Sequence, residues 1–363
     1  MSVMNKLRGF WQRKSRDFND MRDDMRDDFQ ADITSGRSGV KKIAAVVVVY
    51  LLLICGLGFY WSPAPAAFSV VDSVARYNTG TDDKVATGVA LTGTLIQVGE
   101  TLLDKRGGFL SNDIMPPGAW LDNMPSWEYG VLIQMRDLNK AMREAFSRSQ
   151  SQSTEDTSLA LAESRFNFDH DSWALPASES EYREGLEYLQ DYLNRLQDED
   201  AHNAQFFARA DNLRYWLTTV ETRLGSLSQR LSASVGQRRL NTDLAGEERA
   251  SQSTAAPRET EIKTPWLELD DVFYESRGSV WALLHFLKAV EVDFADVLAR
   301  KNALVSVQQI IRELEATQEV VYSPMILNGS GFGMMANHSL VMASYISRAN
   351  AAIIDLRELL VQG

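Results

Sequence analysis

A run of nineteen residues without a charged side chain, residues 43–61, constrains this chain more than any other feature. As an α-helix it would be about 28 Å long, close to the ~30 Å hydrocarbon thickness of a bilayer. Pro63 and Pro65 follow and would end the helix. The run therefore predicts one transmembrane helix at 43–61.

Basic residues mark one side of this helix. Arg37, Lys41 and Lys42 lie just before it, whereas the next basic residue beyond it is Arg76. The positive-inside rule therefore predicts a cytoplasmic N-terminus and an external C-terminal domain. A cleaved signal peptide is the alternative, since residues 64–66 read Ala-Pro-Ala. The 42-residue charged lead and the length of the apolar run argue against it.

The charge is distributed unevenly along the chain, whose net charge is -12. Residues 1–42 hold ten basic and seven acidic side chains, which leaves 27 basic and 42 acidic side chains for the remainder. An acidic external domain is a poor candidate for binding nucleic acid. The single cysteine, Cys55, lies in the apolar run, so the external domain has no disulfide and no thiolate metal site.

The segment 1–42 is predicted to be a cytoplasmic amphipathic arm. Its apolar residues recur at steps near 3.6, which places them on one face of a helix. Three roles stay open: a solvated spacer, contact with the lipid surface, and a protein partner or self-association. The apolar face consists of Leu7, Trp11, Phe18, Met21, Met25 and Phe29.

Beyond the membrane the sequence predicts an all-α helical bundle. Residues 62–235 form a first helical lobe, 236–265 a flexible linker without apolar periodicity, and 266–363 a second helical lobe. Leucines stepping by 4 and 3 on both sides of a short polar interruption resemble coiled-coil seams. Residues 178–235 are therefore predicted to form a long antiparallel helical hairpin.

The section 105–126 is broken by Gly and Pro but is apolar as well, so we expect an ordered loop. Long ordered loops are often functional. The sequence predicts a surface for a ligand or partner around Phe109, Trp120 and Trp127. The alternative is a lid that packs on its own helices.

Motifs for catalysis, metals or cofactors are weak. None of the four histidines forms a zinc-type i, i+4 pair with a glutamate, and Asp169-His170-Asp171 is the most ligand-like cluster. The glycine-rich stretch 328–333 lacks the spacing of a nucleotide-binding loop and is interpreted as a flexible lead into a helix. We therefore predict no catalytic residues, no bound metal, no cofactor and no enzyme activity.

Two stretches resemble an uncharacterised family of proteobacterial membrane proteins, catalogued only as a domain of unknown function. They are residues 107–153, beginning GGFLSNDIMPPGAWLDNMPSWEYG, and residues 206–236, beginning FFARADNLRYWLTTVETRLG. The resemblance extends over most of the chain. It implies a single-pass protein of a Gram-negative inner membrane with a periplasmic outer domain, and it supplies no catalytic residues.

Together these features predict a membrane-anchored interaction or scaffold protein of the bacterial cell envelope, with a protein partner or a second copy of itself. The first alternative is a periplasmic ligand-sensing domain, which would signal through another protein because 42 residues hold no signalling module. A wall- or lipid-acting enzyme is the second alternative, and it rests on the compartment alone.

Overall fold

The structure is a computed structural model that describes residues 38–78, 85–148, 154–198, 203–240, 259–323 and 325–362. The predicted amphipathic face of the arm, from Leu7 to Phe29, lies outside these ranges. So does the middle of the predicted linker. Within them the chain is mainly helical, which confirms the all-α class. The helices are α1 (Ser38–Trp61), α2 (Val70–Tyr77), α3 (Val89–Asp104), α4 (Asn123–Ala141), α5 (Thr157–Phe166), α6 (Ser178–Leu196), α7 (Ala210–Ser232), α8 (Leu269–Asp293), α9 (Ala295–Arg300), α10 (Leu304–Ala316) and α11 (His338–Val361).

Helix α1 contains the apolar run. Among the described residues it supplies the one helix that is long and apolar enough to cross a membrane, Val40–Trp61. Its large apolar side chains, such as Leu52 and Phe59, are exposed. A helix in a protein core would bury such side chains, so this exposure is consistent with a lipid-facing segment.

Residues Trp61–Gly363 form one compact unit. Helix α8 is at its centre: it packs along α4 and also contacts α3 and α10, while α7 packs along α11. Both of the most extensive helix pairs, α4 with α8 and α7 with α11, join a helix of the predicted first lobe to one of the second. The two predicted lobes therefore pack together.

Two glycines bring α4 and α8 close together. A Cβ atom on Gly130 would lie 2.0 Å from the carbonyl oxygen of Glu275, and one on Gly278 would lie 2.0 Å from that of Trp127. Any larger side chain would force the helices apart. The crossing is thus set by a pair of facing glycines, one on each helix.

The two segments of the predicted hairpin are both helical, but the hairpin itself is not confirmed. Helix α6 packs mainly against α5 and α3, and α7 packs mainly against α11. The leucine seams, for example Leu189 of α6 and Leu217 of α7, are buried against these helices instead. Apolar residues that recur every 3.5 residues show that a helix has an apolar stripe, but they do not identify the helix that covers the stripe.

A short strand pair joins the two ends of the predicted linker. Strand β1 (Gln237–Leu240) pairs antiparallel with β2 (Glu259–Ile262), with Gln237 opposite Ile262. The sequence analysis missed both strands. With four residues each, they are too short to produce a clear alternation of apolar and polar residues.

Candidate functional site

The predicted surface of Phe109, Trp120 and Trp127 requires correction, because two of its members are in the core. The Phe109 ring meets Tyr182 edge-on, and Trp127 is fully buried with its ring centroid 5.2 Å from that of Trp281. Phe109 of the broken apolar segment and Trp127 at the start of α4 thus close the core rather than face a partner. Trp120, with 59% of its surface exposed, is the one of the three that a partner can reach.

A buried carboxylate holds the first half of the loop between α3 and α4. Glu128 has no exposed side-chain surface, and it forms an ion pair with Lys105, which is 4% exposed. One carboxylate oxygen accepts the N–H of Leu110 and the other accepts the N–H of Ser111, each at 2.8 Å. Burial raises the pKa of Glu128, and the charge of Lys105 opposes that rise. Glu128 thus fixes the path of the loop from inside the protein.

The second half of the loop ends at a groove of about 450 Å³. Three separate segments form it: the end of the loop, the turn before α8, and the chain leading to α11. We call it the Trp266 groove. Its lining residues are Asp122, Trp266, Leu267, Leu269, Asp270, Met325, Ile326, Leu327, Asn328 and Met335.

Large apolar side chains of this groove face solvent. Trp266 is 76% exposed and Leu267 is 75% exposed, while Met325 and Met335 are each 60% exposed. Single exposed apolar residues are ordinary on protein surfaces, but several around one groove mark an interaction site. Tryptophan and methionine are also enriched in protein interfaces.

Two carboxylates line this apolar groove. Asp122 and Asp270 line the groove, and no lysine or arginine is among its lining residues. Beside them, Asp271 accepts a hydrogen bond from the Ser126 hydroxyl at 3.0 Å. Burial raises the pKa of Asp271, and the negative charges of Asp122, Asp270 and Glu268 raise it further. The groove therefore combines apolar contact area with negative potential.

A turn next to the groove carries further exposed apolar residues. Asn328 and Asn337 pair as an antiparallel bridge, and the N–H of Gly329 donates to the carbonyl oxygen of Ala336 at 3.0 Å. Phe332 and Met334, at the tip, are fully exposed. The glycine-rich stretch that precedes α11 is thus an ordered turn with an apolar tip.

A protein-family comparison matches residues 34–363, which include α1 and the whole outer unit. The family is described as "Uncharacterized protein conserved in bacteria", DUF2333. The chain belongs to this family. Membership in an uncharacterised family, as the sequence predicted, is confirmed. No curated protein and no solved structure is significantly similar to the chain.

His285, at the centre of α8, is buried and neutral. Its Nε2 accepts the N–H of Phe68 at 3.0 Å, and its Nδ1–H donates to the Trp281 carbonyl oxygen at 2.7 Å. The Phe68 ring stacks on the imidazole with centroids 3.9 Å apart. Burial lowers the pKa of His285 to about 4. Both ring nitrogens are engaged by backbone, so this histidine ties the segment after Trp61 to the core.

Asp293, at the end of α8, caps α3. Its two carboxylate oxygens accept the N–H groups of Gly88 at 2.7 Å and Leu91 at 2.6 Å. Gly88 has φ of 95°, which glycine adopts without strain, and a Cβ there would collide with Phe206. Burial raises the pKa of Asp293 to about 6. Its oxygens are occupied by the helix terminus, so Asp293 has a structural task.

The most ligand-like cluster of the sequence, residues 169–171, does not converge on a metal position. The His170 ring instead packs against Tyr129, with centroids 4.9 Å apart. Across the described ranges, no group of three or more His, Cys, Asp or Glu side chains is arranged to hold a metal ion.

Proposed function

We propose that this chain is an inner-membrane protein of the bacterial cell envelope that docks another protein through the Trp266 groove. In this proposal Val40–Trp61 crosses the membrane once, the N-terminus is cytoplasmic, and the helical unit is periplasmic. Support comes from the apolar exposed helix, from Arg37, Lys41 and Lys42 on one side of it, and from the bacterial family.

One observation supports docking above all: an exposed apolar groove with an acidic rim. Trp266 and Leu267 offer large contact area, and interface energy usually concentrates in a few such side chains. Asp122 and Asp270 favour positive charge on the occupant. We therefore expect a partner segment whose apolar side chains are flanked by lysine or arginine.

Other occupants fit this groove less well. In a two-fold dimer each surface residue faces its own symmetry-related patch, so the carboxylates of two copies would lie opposite one another. Anionic lipid head groups would meet the same repulsion. A basic, apolar segment of a different protein avoids both costs.

Photo-crosslinking in intact cells tests this proposal. A photoreactive phenylalanine derivative is placed at position 266, or at the control position 173, in the full-length protein at its native locus. Trp173 is 62% exposed but does not line the groove, so it matches Trp266 in size and accessibility. We expect a specific adduct from position 266 and none of the same mass from position 173.

The adduct must then be mapped to a segment, and that segment must bind as a synthetic peptide. Trp266→Ala is expected to weaken this binding by about 2 kcal/mol or more, the range of an interface hot spot. Trp173→Ala should leave it unchanged. Asp270→Asn should weaken it and reduce its salt dependence. Adducts that map to an acidic segment, to lipid, or to a second copy of the chain would contradict the proposal, as would equal crosslinking from both positions.

A further inference from the structure

A second cavity, separate from the Trp266 groove, lies between α8, α10 and α11. Its volume is about 380 Å³, within the usual range of pockets for small molecules, roughly 300–1,000 Å³. Phe273, Val321 and Met342 contribute apolar walls, and Arg277, Glu319 and His338 also line it. We call it the Arg277 cavity.

The guanidinium of Arg277 has unused donors in this cavity. The group is partly buried, and among the described residues it donates one hydrogen bond, from Nη2 to the Gln318 carbonyl oxygen at 2.8 Å. Guanidinium carries five N–H donors. Among the described residues, no carboxylate lies within ion-pair distance of it. Burial lowers the pKa of Arg277, as expected for a cation that lacks a close counter-charge.

Glu319 supplies the opposite charge without pairing with Arg277. Its carboxylate acts on Arg277 through space and raises the pKa of the guanidinium, although the two groups form no salt bridge. Among the described residues neither group forms an ion pair, and both line the same apolar cavity. A ligand with a single charge would satisfy one group and be repelled by the other.

His338 adds a further donor. Its Nδ1 accepts the backbone N–H of Leu327 at 3.1 Å, which leaves the Nε2–H as the donor of the ring. A ligand carboxylate can therefore receive hydrogen bonds from two kinds of side chain in this cavity. The arginine fork also matches the geometry of a carboxylate.

From this arrangement we infer that the Arg277 cavity binds a small apolar zwitterion, an α-amino acid with an aromatic or aliphatic side chain. Its carboxylate lies on Arg277, its ammonium on Glu319, and its side chain against Phe273, Val321 and Met342. This inference goes beyond the proposed docking function and does not depend on it.

Three matched probes test the inference with the full-length protein in lipid nanodiscs. They are phenylalanine, 3-phenylpropanoate, which lacks the ammonium, and phenethylamine, which lacks the carboxylate. Binding is measured by saturation-transfer NMR titration. Loss of the carboxylate at the partly buried Arg277 should weaken binding roughly 10-fold or more, because a charged hydrogen bond is lost there. Loss of the ammonium at the exposed Glu319 should weaken it less, by up to roughly 5-fold, because solvent screens an exposed pair.

Variants test which charged group of the ligand each side chain binds. Arg277→Met should abolish the advantage of phenylalanine over phenethylamine, and Glu319→Gln its advantage over 3-phenylpropanoate. Arg312→Met is the control, since Arg312 is exposed on α10 and does not line the cavity. Glu319 is exposed as well, so Glu319→Gln should fold even if Arg277→Met does not.

Two outcomes would overturn the inference. If 3-phenylpropanoate binds as tightly as phenylalanine and Glu319→Gln strengthens its binding, the cavity is a simple anion site. If neither phenylalanine nor leucine gives saturable binding to the folded wild-type protein, the cavity is not an amino-acid site. Either result leaves the docking proposal intact, because Trp266 crosslinking is measured separately.

Discussion

Replacing Glu128 with glutamine tests whether one buried ion pair organises the loop between α3 and α4. Glutamine keeps the size of the side chain but removes its charge. Lys105 then remains buried without its ion-pair partner, and the new amide nitrogen, a donor, takes the place of an oxygen that accepts the N–H of Leu110 or Ser111. Breaking a buried ion pair by removing one partner costs about 3–5 kcal/mol. That is a large part of a typical unfolding free energy of about 5–15 kcal/mol.

The double variant Lys105→Met/Glu128→Gln separates the cost of the unpaired Lys105 charge from the cost of the lost hydrogen bonds. It removes both buried charges, and such replacements are often neutral or stabilising. We therefore expect the double variant to be more stable than Glu128→Gln alone by about 2 kcal/mol or more.

Denaturant unfolding of the full chain in detergent, followed by circular dichroism, measures these free energies. Hydrogen exchange of the Leu110 and Ser111 amides reports on the loop directly and should accelerate in Glu128→Gln. The reasoning would be refuted if Glu128→Gln cost less than about 1 kcal/mol, or if the double variant were less stable than the single one.

The remaining predictions concern α8. Gly278→Ala places a Cβ 2.0 Å from the Trp127 carbonyl oxygen and should destabilise the protein by about 3 kcal/mol or more. Gly225→Ala is the control: its Cβ meets nothing closer than 3.6 Å, so it should be neutral or slightly stabilising. Thermal unfolding compares the two variants. Burial lowers the pKa of His285 to about 4, so its contribution to stability is complete above pH 6.5 and is lost as pH falls towards 4, by about 2–3 kcal/mol. Burial raises the pKa of Asp293 to about 6, so the folded state binds a proton more readily than the unfolded state. As the pH falls from 7 to 4, this group therefore increases the free energy of unfolding by about 2 kcal/mol. Asp293→Asn should therefore make the unfolding free energy decrease more steeply from pH 7 to pH 4 than in the wild type; an unchanged slope would contradict the assignment.

Local patterns in the sequence predict several helices. The uninterrupted apolar run predicts α1, and the leucine stripes predict α6 and α7. The pairing of helices is a different matter. Helices α4 and α8 are far apart in the sequence. Their crossing is marked locally only by one glycine in each helix, Gly130 and Gly278. A glycine inside a helix does not reveal which backbone approaches it.

The candidate site was only partly predictable for a related reason. The sequence singled out the loop at 105–126, but Trp120 lies in that loop and Trp127 lies just inside α4, where too few residues are present for an apolar period to distinguish core from surface. Trp127 and Trp120 therefore looked equivalent in sequence and differ completely in exposure. The Trp266 groove combines residues near 122, 266–270 and 325–335, and no local signal connects those segments.

One uncharged stretch of chain, residues 320–337, takes part in both proposed sites. Residues 320–323 line the Arg277 cavity, and residues 325–328 and 335 line the Trp266 groove. A ligand that orders the first part should reduce the freedom that a partner must restrict in the second. By linkage, phenylalanine and the partner peptide should then change each other's affinity by the same factor, and typical couplings are about 5-fold or more. Titrating each with and without the other measures that factor. If each ligand binds with the same affinity in the presence and absence of the other, the two sites act independently, even where each holds its own occupant.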